Sequence, residues 1–393
     1  MKKKIFSRLF RYIVPFSVAV MLTFNRSGFL QHIELYTSID LIINYFVSGV
    51  ALFILLRQFY DGKSFAISRK DMPFIVLLGW ILFIILISSN SHSSFDISQT
   101  AVISCAISII LGFGIKSSDY SRLRRSLIIL STIFALFVLI YAPSNILELS
   151  PKSSAAFDSR IGARGSASLL IIFPRTLYTL VLAGISSFII EKNILVKVFC
   201  LLINIPALVI AFGTAGRGSL LGLFSGVIIF IYGIITLNKS HDKLIYLFYV
   251  PPMIFFFYFI YLNIQDYFPI LFTRISNGSD SGRYEMWADL LNTNLSVFGY
   301  GPLFYPHNVF FEFALNYGII GFILFIIFIT NSLFNTLKLL RLKKDVDLIF
   351  VVAIITFQFV GQQFSLNIFY CSFALAMALF SRLNLKIYNS SLR

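Results

Sequence analysis

Apolar runs of roughly 17–25 residues, the length one helix needs to cross a bilayer, recur along the whole chain and are divided by short clusters of charge. Reading the runs between clusters gives twelve expected spans, centred in 11–25, 38–56, 72–89, 98–115, 126–142, 166–190, 194–212, 218–237, 244–264, 308–337, 346–364 and 366–381. The first run is short and the last two nearly abut, so eleven spans is the main alternative. No polar stretch is long enough for a separate soluble domain. Residues 1–393 therefore read as one integral membrane domain, an all-α transmembrane helical bundle. Two connections on its outer side exceed turn length, 143–165 and 265–307, and the second is expected to carry short helices.

Composition agrees with this pattern. With 58% hydrophobic and only 12% charged residues, a soluble domain could not enclose its own apolar surface. The net charge of +15 would point to nucleic acid in a soluble protein, but its distribution points instead to topology. With the N-terminus inside, alternate connections hold 24 of the 32 basic residues, which predicts both termini in the cytoplasm. The outer remainder is Arg26, Lys152, Arg160, Arg164, Arg175, Arg217, Arg274 and Arg283. The inner set is 14 Lys and 10 Arg, the outer 1 Lys and 7 Arg. Topology does not distinguish the two cations, whereas the planar fork of Arg grips phosphate oxygens in pairs. An outer face selected for Arg points to a phosphorylated ligand, and neither charge pattern calls for nucleic acid. The plainer alternative is that these arginines snorkel or pair with Asp158, Asp266, Asp280 and Asp289. The three cysteines lie inside apolar spans and make no disulfide or metal framework. Lys2-Lys3-Lys4 precedes an apolar stretch with no cleavage site, so the first span is expected to be retained.

The long outer connection holds most of the candidate chemistry. Within it, Asp280 to Leu291 reads as a short amphipathic helix with Met286, Trp287, Leu290 and Leu291 on one face. Arg283 falls in its first turn, where exposed N–H groups and the macrodipole favour an anion. Gly299-Tyr300-Gly301-Pro302 forms a tight turn before His307 and Asn308 at the mouth of the tenth span. An imidazole at a helix N-terminus is held neutral and can accept a proton, so His307 is the candidate general base; the alternative is that it caps the helix. Asn308, Glu312 and Asn316 recur every fourth residue, a polar stripe that must face a cavity or other helices. Gly213-Thr214-Ala215-Gly216-Arg217-Gly218 sets Arg217 at the start of span eight, and Gly218, Gly222 and Gly226 predict close packing on a neighbour. Arg175, inside span six, is costly there unless paired or wetted. Arg175, Arg160, Arg164, Arg274, Asn308 and Glu312 form a second tier of substrate-binding candidates. His32, His92 and His241 read as solvated. No metal-ligand motif, P-loop or nucleophile elbow occurs, so no metal and no cofactor is expected.

Arg217 with Leu221, Ser281-Gly282-Arg283 with Trp287, Phe298-Gly299-Tyr300-Gly301, and His307-Asn308 with Gly318 and Gly321 together resemble the O-antigen polymerase and O-antigen ligase superfamily of bacterial envelopes. The likeness in topology covers nearly the whole chain, and that in motifs covers roughly 213–222 and 274–322. It implies inverting, metal-independent glycosyl transfer from an undecaprenyl-diphosphate-linked glycan on the outer face of the bacterial cytoplasmic (inner) membrane. Carried over, Arg217 and Arg283 hold the diphosphate and His307 deprotonates the acceptor hydroxyl. The compact loop before His307 resembles polymerases that join O-antigen or capsular repeat units. The implied partners are the lipid-linked glycan donor and acceptor, membrane lipids, and a chain-length regulator and flippase.

Three other readings use the same features. A ligase would transfer finished glycan to lipid A-core or to protein. A flippase or transporter of lipid-linked sugars would also have twelve spans, but such proteins show internal repeats, and residues 1–190 bear no evident relation to 191–393. A non-catalytic partner gives no reason for the choice of Arg over Lys.

Overall fold

The computed structural model describes residues 2–23, 36–60, 69–88, 99–141, 166–213, 217–237, 288, 292, 295–301, 308–343, 345–363 and 371–383. All regular structure among them is helical. In chain order the α-helices are α1 (Lys2–Thr23), α2 (Tyr36–Tyr60), α3 (Met72–Ser88), α4 (Gln99–Gly114), α5 (Tyr120–Tyr141), α6 (Ser166–Ile190), α7 (Ile194–Leu202), α8 (Ile205–Gly213), α9 (Arg217–Leu237), α10 (Val309–Asn316), α11 (Gly318–Leu342), α12 (Val346–Gln362) and α13 (Cys371–Arg382). Gly218–Thr236 and Gly318–Leu342 are long and apolar enough to cross a membrane, and seven shorter helical segments are predominantly apolar. The expected segment 244–264 lies outside the described residues, and the other eleven fall on helices.

Three of the expected helices or hairpins differ from a simple rod or turn, each for a local reason. The segment 194–212 is two helices, because Pro206 cannot donate to the carbonyl of Leu202 and its ring would strike it. Asn204 fills the break, its amide donating to the Cys200 carbonyl at 2.7 Å. Its side chain occupies the space that a Cβ on Gly184 would need. The segment 308–337 also breaks, between α10 and α11, where Gly318 takes a φ of 72°, a left-handed value that glycine tolerates and a helix excludes. At the third, Val102–Gly114 and Ser117–Leu136 meet at 97° rather than folding back as a flat hairpin.

Close packing follows small residues. Glycines of α9 lie on the backbone of α12: a Cβ on Gly222 would sit 2.7 Å from the Phe357 carbonyl oxygen, and one on Gly226 would sit 3.0 Å from that of Ala353. The pairing is antiparallel, since Gly233 further along α9 meets Ile349 earlier on α12. Small residues let the two backbones approach this closely, and van der Waals contact between them supplies attraction. The expected small-residue face of span eight is thus found at Gly222 and Gly226.

The two ends of the bundle differ in chemistry. At one end Arg124 joins three helices: Nε lies 3.0 Å from Asp347, and Nη1 lies 3.0 Å from both Glu191 and Ser187. Arg382 pairs with the fully buried Asp71 at 3.3 Å, and Arg122 pairs with Asp119. Arg122, Arg124, Asp119, Glu191, Asp71 and Arg382 belong to the connections expected in the cytoplasm, and Ser187 and Asp347 lie at the adjoining span ends. The opposite end carries the end of α3, the segment Leu295–Gly301 and the α10–α11 break, where a Cβ on Gly301 would collide with Ser88.

Candidate functional site

Two polar constructions occupy the half of the bundle away from the ion pairs. The first is the break between α10 and α11. The segment Leu295–Gly301 lies across it as a strap, in backbone hydrogen bonds with both helices. Tyr300 N–H donates to the Leu315 carbonyl and Gly301 N–H to that of Asn316, each at 3.0 Å. Ile319 N–H donates to the Ser296 carbonyl at 3.1 Å and Ile320 N–H to that of Val297 at 3.4 Å. A helix end leaves its last carbonyls and the next helix leaves its first N–H groups without intrahelical partners. The strap supplies those partners, which is how a helix can be interrupted inside an apolar bundle.

Glycine is required at both faces of this contact. Gly299 and Gly301 have φ values of 83° and 77°. A Cβ on Gly299 would collide with Asn316 and Gly318, and one on Gly318 with Gly299 and Val297. The motif Phe298-Gly299-Tyr300-Gly301 therefore meets Gly318 atom to atom, while Gly321 faces Trp80. Trp80 of α3 closes the assembly: its Nε1 donates to the Tyr317 carbonyl at 2.9 Å, and its ring stacks on Phe298 with centroids 5.9 Å apart.

The polar stripe expected on α10 is found turned into the protein, with Glu312 and Asn316 buried. Asn308 is the N-cap, its side-chain oxygen accepting from Phe310 N–H at 2.9 Å and Phe311 N–H at 3.3 Å. The capping position is thus held by Asn308, and His307 precedes it in the chain.

The second construction surrounds Arg175, which is 1% exposed. Its Nε donates to Gln358 Oε1 at 2.7 Å, Nη1 to Gln362 Oε1 at 2.6 Å, and Nη2 to the Gln358 carbonyl. Ser372 of α13 donates to the same Gln358 Oε1 at 3.0 Å, so α6, α12 and α13 meet at one guanidinium. These three acceptors are neutral oxygens, which orient the fork. Arg175 stands sixteen residues from Glu191, about 24 Å along the helix, and so lies well away from the ion-pair end.

Arg217 opens α9 as expected, five residues ahead of Gly222. Gly222 faces Gly361, and a Cβ on Gly361 would lie 3.4 Å from Arg175 Nη2. The backbone of Arg217 thereby begins roughly 7.5 Å, five residues of rise, beyond the level where α9 meets the Arg175 cluster. The side chain of Arg217 lies outside what is described, as do Arg160, Arg164, Arg274, Arg283 and His307. Of the expected site residues, Arg175, Asn308 and Glu312 are described with their side chains.

Several residues of these constructions have no place among the sequence-based candidates. Gln358 and Gln362 carry a readable signal, two amides at i and i+4 in an otherwise apolar helix, the same kind of stripe as on α10. Ser372 and Trp80 carry none, since a hydroxyl or an indole in an apolar run reads as an ordinary membrane residue. Among the described residues no group of three or more His, Cys, Asp and Glu side chains forms.

The fold and these constructions define an all-helical protein with apolar helices of membrane-crossing length and polar groups built into its interior. No protein-family model, no curated protein and no solved structure matches the chain.

Proposed function

We propose that the protein is a polytopic glycosyltransferase of the bacterial cytoplasmic membrane that polymerises undecaprenyl-diphosphate-linked repeat units, of O-antigen or capsular type, on the outer face. The observation that carries this reading is the interlock of Phe298-Gly299-Tyr300-Gly301 with the α10–α11 break at Gly318. These are residues on which the family resemblance rests, and a chance resemblance would give them no reason to touch. The ion pairs of Arg122, Arg124 and Arg382 at one end of the bundle, with the strap at the other, support the both-termini-inside orientation.

In the proposed reaction, the acceptor hydroxyl oxygen attacks the anomeric carbon of the donor sugar from the face opposite the diphosphate. The new C–O bond forms as the bond from that carbon to the diphosphate oxygen breaks, with inversion. His307 takes the hydroxyl proton, and undecaprenyl diphosphate leaves with the bonding electron pair, its charge held by Arg217 and Arg283. A positioned general base contributes about 10²–10⁴ in rate, and each donor aimed at developing charge about 2.7–4 kcal/mol. Arg175, Arg160, Arg164, Arg274, Asn308 and Glu312 support substrate binding around this centre. Deletion of the gene tests the reading by the surface glycan profile. A polymerase deletion leaves surface lipid capped with a single repeat unit. Polymer stranded on its carrier would instead mean a ligase, and repeat units retained on the cytoplasmic side a flippase.

A further inference from the structure

We propose that the corner where α6 turns into α7 binds an anionic phospholipid, its phosphate at Arg125 and Lys192 and its acyl chains along α7. The inference rests on the membrane-spanning part of the proposed function and not on its chemistry. Its ground is a separation of charge at the ion-pair end. Buried Arg124 holds both Glu191 and Asp347, each at 3.0 Å, while the adjoining cations Arg125 and Lys192 are exposed. The other carboxylates described at this end are also held within the protein. Asp71 pairs with Arg382 and Asp119 with Arg122, and Asp345 caps α12 by accepting from Asp347 N–H and Leu348 N–H. The acids are engaged internally, and the surface left to the surroundings is cationic.

Apolar surface begins at once beside these cations. Only Asn193 separates Lys192 from α7, and it caps that helix by accepting from Leu195 N–H at 2.9 Å. Ile194 and Leu195 are 66% and 76% exposed, and Val198 and Phe199, one turn on, continue the same exposed face. The helix runs back alongside α6, since a Cβ on Gly184 would lie 3.1 Å from the Cys200 carbonyl oxygen. Lys197 turns off this face, its ammonium 5.7 Å from the centroid of the Phe188 ring. Cations at the rim of an apolar helix face suit an amphiphile, whose phosphate and chains are met together. A soluble anion would meet the cations alone, and a zwitterionic lipid would bring a positive group to them.

The test titrates purified full-length protein in neutral detergent with phosphatidylglycerol or with phosphatidylcholine of the same acyl chains, and follows the first bound lipid by native mass spectrometry. Phosphatidylglycerol is expected to bind more tightly. Each cation near a lipid surface contributes about fivefold in affinity, so Arg125→Gln with Lys192→Gln is expected to weaken phosphatidylglycerol about 30-fold and to leave phosphatidylcholine within about twofold. Both positions are exposed, so the pair is expected to keep the parent's melting temperature. Exposed Arg69, ahead of α3, is the control, and Arg69→Gln is expected to retain parental affinity. Arg125→Lys with Lys192→Arg keeps both charges and is expected to bind as the parent does. Equal binding of the two lipids overturns the proposal, as does an unchanged affinity in the Gln pair. A loss in the charge-conserving pair as large as in the Gln pair overturns it too, because charge is then not the cause. Glycerol phosphate competing as well as phosphatidylglycerol at equal concentration would show a phosphate site that ignores the chains, and so contradict it. Uptake of neither phospholipid would remove the membrane reading along with the proposal.

Discussion

Arg175 Nη1 lies 2.6 Å from Gln362 Oε1, linking α6 to the last turn of α12 inside the bundle. With Gln358 beside it, the guanidinium is oriented by amide oxygens that hydrogen-bond it. A cation so buried is expensive in an apolar setting unless it is solvated by the protein, and the two glutamines act as that solvent.

Replacing Arg175 with Ala removes a donor from Gln358 Oε1, Gln362 Oε1 and the Gln358 carbonyl, Ser372 still donating to the first. The expected loss is on the order of 3 kcal/mol, read as a lower melting temperature in detergent. Arg175→Lys offers a point charge in place of a fork and should recover only part of that loss. Full recovery by Lys would show that fork geometry is irrelevant there.

The α9–α12 contact is equally specific in what it excludes. Gly226→Leu forces a side chain against the Ala353 carbonyl and Leu182. Overpacking of this kind costs about 1–3 kcal/mol. Because α9 begins at Arg217, glycan extension should fall together with thermal stability, whereas a substitution at exposed Ile228 should change neither.

Gly299→Ala tests the strap. It combines a left-handed φ with collision against Asn316 and Gly318, so strain of about 1–3 kcal/mol adds to a steric clash that cannot relax through a flexible side chain. Proteolysis near the 295–301 segment should accelerate. An alanine variant as protease-resistant as the parent would mean that the strap does not depend on this contact.

Much of the helical pattern is legible from apolar periodicity and charge placement, because lipid-length runs leave little choice of secondary structure. The break at Ile203–Asn204 is foreshadowed by Pro206, and the inward stripe on α10 by Asn308, Glu312 and Asn316. The break at Gly318 is different. Glycine is common inside apolar helices, and what makes this one a left-handed corner is the strap arriving from another part of the chain. The same holds for Trp80 and Ser372, whose meaning depends on partners remote in sequence. Arg175 was legible as a costly residue, but its reconciliation with the apolar interior required two glutamines more than 180 residues away.

At the ion-pair end, burial raises the Asp119 carboxyl above its ordinary value, against the opposing attraction of Arg122. An acid with a raised folded pKa binds its proton more tightly in the native state. Its stabilising contribution is therefore complete below the ordinary value and is lost as pH rises through the raised one. Asp119→Asn removes the charge that burial penalises, while Asn still accepts from Arg122. Melting temperature should then decline less between pH of about 4 and 7 than in the parent. An unchanged slope would show that Asp119 does not contribute to the pH dependence.

The central claim, that arginines and one histidine serve a lipid pyrophosphate on the outer face, is met most directly by a single assay of the purified protein. Lipid-linked repeat units are supplied, and glycan length and released undecaprenyl diphosphate are both followed. The account predicts elongation matched by one undecaprenyl diphosphate per bond formed, and its loss in folded Arg217→Ala, Arg283→Ala and His307→Ala variants. Elongation undiminished in all three, or no release of the carrier by the parent protein, would contradict it.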